Sequence, residues 1–102
     1  MPYRIRAKTA KIAEKLGVII RPSTKADKKI DVFIPLPDKK WKKLSIGARH
    51  YADYHIYKEL ELSGKVPDGT AIQRKRAYEA RHHKDLNKPG TPGYYAYKLL
   101  WT

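Results

Sequence analysis

The sequence predicts a small α+β fold: an N-terminal basic helix or arm, a β-hairpin, and two C-terminal helices. Three observations predict it. Apolar residues recur at helical spacing ahead of Gly17. Two runs alternating at period two flank a proline-bearing turn. Helix start and stop signals bracket residues 71–84 and 92–101.

In the first segment, Ile5, Ile12, Ala13 and Leu16 form one stripe over residues 4–16, and Lys8, Lys11 and Lys15 fall largely off it. Gly17 suits the position after the helix, because without a Cβ it accepts the left-handed conformation. An arm that orders only on a partner is the alternative for this segment. Residues 18–20, Val-Ile-Ile, suit a short strand stopped near Pro22.

"KIDVFIPL" puts Ile30, Val32 and Ile34 on one face. In "KWKKLSIGA", Trp41, Lys43 and Ser45 alternate with Lys42, Leu44 and Ile46. These runs predict a hairpin of 29–34 with 41–46. Two strands alone are marginal in water, so the hairpin needs a helix, a third strand or a neighbouring chain. Over 47–61 the tyrosines are compatible with a helical ridge (Tyr51, Tyr54, Tyr57) or a strand face (Tyr51, Asp53, His55, Tyr57), and both stay open. "SGKVPDG" (63–69) is a loop. "TAIQ" fits a capping box in which Thr70 accepts from the Gln73 N–H. The prolines and glycines of "LNKPGTPG" then break the chain. Thr91 can cap a last helix whose first residue is Pro92, where the missing N–H costs nothing.

A chain of 102 residues suits one small domain, with the basic helix or arm at 1–17 and a single domain at 18–102. Cysteine is absent, which excludes disulfides, thiolate metal sites and cysteine nucleophiles. No apolar run reaches the roughly 20 residues of a membrane helix, and no signal-peptide core is visible. Lys plus Arg number 23 against 10 Asp plus Glu, a net charge of +13. A chain this small and this cationic calls for an anionic or acidic partner. Residues 1–29 carry +7, residues 30–70 carry +1 and residues 71–102 carry +5. The anionic-partner surface is therefore expected at both ends: Arg4, Arg6, Lys8, Lys11 and Lys15, and Arg74, Lys75 and Arg76.

"RKRAYEARHH" (74–83) concentrates that second basic set. On a helix, Arg74, Tyr78, Arg81 and His82 share a face. A solvated face is the plain reading, but such faces mix signs, and here one acid stands among four Lys/Arg. His50, His55, His82 and His83 match no standard metal-ligand spacing, and hydrogen bonding among the tyrosines suits them better. Asp53 lies in a half-apolar segment. A buried carboxylate needs a partner, and Arg81, able to grip it with two hydrogen bonds, is the one expected. A pairing of Asp53 with His55 or His82 would instead suggest a nuclease, but no second acidic ligand stands at convincing spacing. No phosphate-loop, dinucleotide or nucleophile-elbow motif occurs, so neither catalysis nor a cofactor is expected. Charge with interleaved aromatics fits nucleic acid, though no helix-turn-helix, RNP or zinc-finger motif is legible.

Three blocks in order, "SIGARHYADYHIYK" (45–58), "RKRAYEARHH" (74–83) and "TPGYYAYKLLW" (91–101), resemble a family of small basic proteins of large DNA viruses and some large bacteriophages. The matching positions are Gly47, Tyr51, Asp53, Tyr54 and Lys58, then Arg74, Tyr78, Arg81 and His82, then Gly93, Tyr94, Tyr95, Leu99, Leu100 and Trp101. Residues 1–44 lie outside the resemblance. The spacer "ELELSGKVPDGTAIQ" is longer than the family pattern. The resemblance implies viral origin without naming an activity, and a small basic protein of a large virus, rich in tyrosine and able to order fully, suggests a virion component. The resulting expectation is a minor capsid or internal capsid-associated component that binds neighbouring capsid subunits. It would be located in the virion, and in host cytoplasm or nucleus during assembly. Non-specific binding of DNA or RNA through the basic ends is the alternative, and no small-molecule substrate is expected.

Overall fold

In the computed structural model, which describes residues 3–102, the N-terminal stripe becomes helix α1 (Ala7–Leu16). Thr9 and Ala13 are buried, while Lys8, Lys11 and Lys15 are exposed. The helix starts three residues later than its periodicity suggests, because Arg6 is extended. It ends at Gly17, φ 72°, and the next N–H, of Val18, reaches back to the Ala13 carbonyl at 3.1 Å.

Three strands follow: β1 (Ile19–Pro22), β2 (Lys28–Pro35) and β3 (Trp41–Ala48). They form an antiparallel sheet in the order β1-β2-β3. The short β1 supplies the third strand that the hairpin needs. Pairing of Ile30 with Ile46 and of Val32 with Leu44 puts the alternating aliphatic residues on one face. Ile30 and Val32 are fully buried there. Asp31, on the opposite face, is also buried. It accepts the Ser23 and Ser45 hydroxyls at 2.6 and 2.7 Å and the Thr24 N–H at 3.3 Å.

Between β2 and β3, Asp38 and Lys39 both have positive φ, 67° and 61°. Left-handed backbone costs a non-glycine residue about 1–2 kcal/mol, and aspartate tolerates it better than lysine. Lys39→Gly is therefore expected to stabilise the fold by about 1 kcal/mol. A urea midpoint that fails to rise would show that this turn stores no strain.

Contacts divide the chain into two compact units, Met1–His50 and Tyr51–Thr102. The second is helical: α2 (Tyr54–Leu62), α3 (Thr70–His82) and α4 (Pro92–Leu100). Two of these match the expected C-terminal helices. The third, α2, resolves the open reading of 47–61 in favour of helix. Asp53 starts it by accepting the Ile56 N–H at 3.0 Å. Tyr54 and Tyr57 join the helix, while Tyr51 stays outside it and is 74% exposed.

The expected capping box at Thr70 does not form. Gly69, φ 93°, takes the cap position one residue earlier, and the Thr70 hydroxyl instead donates to the Pro67 carbonyl at 2.7 Å. The orphan Ala71 N–H is taken by Glu61 of α2 at 2.5 Å. A left-handed turn only glycine accepts easily, followed by a carboxylate from a neighbouring helix, replaces the local box. At α4 the reading holds: Thr91 accepts the Tyr94 N–H at 3.2 Å and Pro92 opens the helix. Gly93 is required by close approach, since a Cβ there would lie 2.7 Å from the Asp85 Cβ.

Rings join the three helices of this unit. Tyr78 of α3 stacks on Trp101 at 4.6 Å with the planes 14° apart. Tyr57 of α2 meets the same indole at 6.4 Å. His55 Nε2–H donates to the Leu99 carbonyl at 3.2 Å. Tyr95, Leu99, Leu100 and Trp101 are buried.

Candidate functional site

The sheet of the first unit carries one face that is not uniformly covered. Period two and the register bring Ile19, Phe33 and Lys43 into line across the three strands, with Trp41 opposite Pro35 at the end of the hairpin. Ile19 is 49% exposed and Trp41 52%. Ile19, Arg21, Phe33 and Trp41 line an open cleft of about 300 Å³. The Arg21 guanidinium lies 5.5 Å from the centre of the Phe33 ring, a cation–π distance. At the covered end, Lys43 Nζ is 3.5 Å from Asp31, and the lysine stays partly exposed. The floor is aromatic and aliphatic, and its edges are cationic. Such a surface can take a flat apolar group and hold anions beside it.

The Asp31 network sets the geometry of that face. Burial alone pushes its carboxyl up, but the Ser23, Ser45 and Thr24 hydrogen bonds, with the Lys43 charge, outweigh burial and bring it down to about 2.

The basic residues expected to meet an anionic partner fall into both units. Lys8, Lys11 and Lys15 are exposed on α1, and Arg4 is exposed ahead of it. Arg6 is half-buried, donates to the Arg4 carbonyl at 2.7 Å and lies over the Tyr3 ring at 5.1 Å. Arg74 and Arg76 are exposed on α3, and Lys75 is half-buried. Arg74 lies over Tyr57 and Lys75 over Tyr54, at 5.6 and 5.2 Å, so two of the cations are held against rings of α2.

Arg81 is exposed near the end of α3, and Asp53 is 1% exposed. Beside the capping role of Asp53, we propose that it pairs with Arg81. In a double-mutant cycle of Asp53→Ala and Arg81→Ala, we expect a coupling above about 1 kcal/mol. Additive losses would mean that Asp53 acts without Arg81, its cap on Ile56 being worth about 1 kcal/mol.

The remaining titratable contacts tie helices together. Tyr97 of α4 donates to Glu79 of α3 at 2.5 Å, and that bond, with burial and the carboxylate charge, pushes the phenol up to about 12. Burial also pushes Tyr78 up, helped by Asp85 and opposed by Arg81. The lone acid of "RKRAYEARHH" is thus part of a helix–helix bond. Among the described residues, no three His, Asp or Glu side chains gather into a group that would hold a metal. No helix there is long and apolar enough to cross a membrane.

The cleft was only half legible in the sequence. Period two already put Trp41 and Lys43 on one side of the hairpin. That Ile19 and Arg21 stand beside Phe33 depends on the β1–β2 register, which no local pattern specifies. Comparison with protein-family models, curated proteins and solved structures finds no match.

Proposed function

We propose that this chain is a small basic structural component of a virus particle, a minor capsid or internal capsid-associated protein that binds neighbouring capsid subunits. The viral setting comes from the three sequence blocks. The observation that supports a protein contact is the α2–α3 turn of the second unit. Leu62 is 87% exposed at the end of α2, and Ile72 is 39% exposed in the first turn of α3. The Glu61–Ala71 hydrogen bond ties these two helix ends to each other. Burying a leucine fully is worth about 1.5–3 kcal/mol, so covering this ledge would stabilise a complex. Arg74 and Arg76 follow on the same helix and would form a cationic rim against acidic residues of a partner. Location in the virion, and in host cytoplasm or nucleus during assembly, follows from this reading.

The test is to wash opened particles in rising salt with and without nuclease. Attachment through an apolar ledge should survive moderate salt and nuclease. Leu62→Asp with Ile72→Asp should release the protein while its circular dichroism stays unchanged. Release by nuclease alone would instead make genome binding its means of retention.

A further inference from the structure

The open sheet face of the first unit has a composition that a protein-docking ledge does not need. This unit holds 14 Lys/Arg against four Asp/Glu, a net charge of +10, and leaves +3 to the second unit. Within that field an aromatic floor is exposed. Phe33 sits on β2, the middle strand of the sheet, and Trp41, one diagonal step away, is 52% exposed. Such diagonal neighbours stand about 7–8 Å apart, so the two rings can serve two successive flat groups. Arg21 is exposed beside Phe33, and Lys43 is the cross-strand neighbour of Phe33 on β3. Lys39 and Lys40, in the turn of the hairpin beside Trp41, extend the cationic edge and are both exposed.

We propose that this face binds single-stranded nucleic acid, with bases stacking on Trp41 and Phe33 and phosphates meeting Arg21, Lys43 and the hairpin lysines. Charge complementarity points to a polyanion, and the aromatic floor points to one that carries flat rings. Every base has a π-face, so stacking of this kind is tolerant of sequence. In a duplex those faces are already stacked on each other, so the site favours unpaired strands. The cleft of about 300 Å³ suits one base beside Phe33 and Arg21. The proposal goes beyond capsid attachment and uses a different unit of the chain, so either can fail without the other.

The test uses the full chain and its own fluorescence. The protein has two tryptophans, and Trp41 is half exposed while Trp101 is buried. A twelve-residue oligothymidylate is titrated in low salt beside polyphosphate and polyglutamate of equal charge. The expected result is quenching of Trp41 and binding at least tenfold tighter than either control. Trp41→Ala and, separately, Phe33→Leu should each weaken oligothymidylate binding about tenfold and leave polyphosphate binding unchanged. Arg21→Gln should reduce the slope of log K against log salt by about 0.7. Equal affinity for oligothymidylate and polyphosphate would overturn the proposal, and so would undiminished oligothymidylate binding by Trp41→Ala. Tighter binding of polyglutamate would assign the face to an acidic protein segment instead.

Discussion

Trp101→Ala is expected to destabilise the helical unit by about 3–5 kcal/mol, the range for removing a buried indole. The ring is 9% exposed and stands between two others, stacked on Tyr78 at 4.6 Å and tilted against Tyr57 at 6.4 Å. Through it α2 and α3 meet the chain end that follows α4. Truncation leaves a cavity against rigid rings that cannot collapse to fill it. The loss is a large share of the roughly 5–15 kcal/mol that a small domain has in total. Trp101→Phe keeps one aromatic face against Tyr78 and should lose less than half as much. Urea unfolding followed by far-ultraviolet circular dichroism reads both variants. A loss below 1 kcal/mol for the alanine variant would show that the ring stack is not core.

The second large effect is at Asp31. Asp31→Ala is expected to cost on the order of 2–4 kcal/mol at neutral pH, because it strands hydrogen-bonding groups in a buried site. Ser23 is itself buried, and its hydroxyl also receives the Lys25 N–H at 3.1 Å, so it has little freedom to find a new acceptor. The charge itself is testable by pH. Folding lowers this carboxyl from 3.8 to about 2. The native state therefore favours the ionised form, and that stabilisation is fully present above the unfolded value. It declines as the pH falls through the window between the two and is gone below the folded value. Its size is on the order of 2 kcal/mol. The stability difference between the wild type and Asp31→Asn should hold steady above pH 5 and shrink as the pH approaches 2. A difference that is unchanged at low pH would mean that the carboxylate charge contributes nothing.

Much of the secondary structure was legible because it is locally encoded. The stripe of Ile12, Ala13 and Leu16, the alternation around Ile30 and Val32, and the Thr91-Pro92 cap each specify an element within a few residues. The 47–61 segment was not legible as one element, because its tyrosines serve helix and strand periods equally. Asp53 decided it by capping Ile56, and a cap is a weaker sequence signal than a stripe. At Thr70 a good local signal was overridden. Gly69 could turn left-handed, and Glu61, nine residues before Thr70, was close enough to take the Ala71 N–H.

By itself the sequence determined the α+β class, the excess of positive charge, and which strand positions alternate. Only the tertiary structure decided which side chains stand together. It set Arg21 beside Phe33, Glu79 against Tyr97, and Trp101 between Tyr57 and Tyr78. The physical reason is range. Periodicity and capping act between residues a few positions apart, whereas these contacts join residues 12 to 44 positions apart, and their energies appear only once the chain has closed those loops.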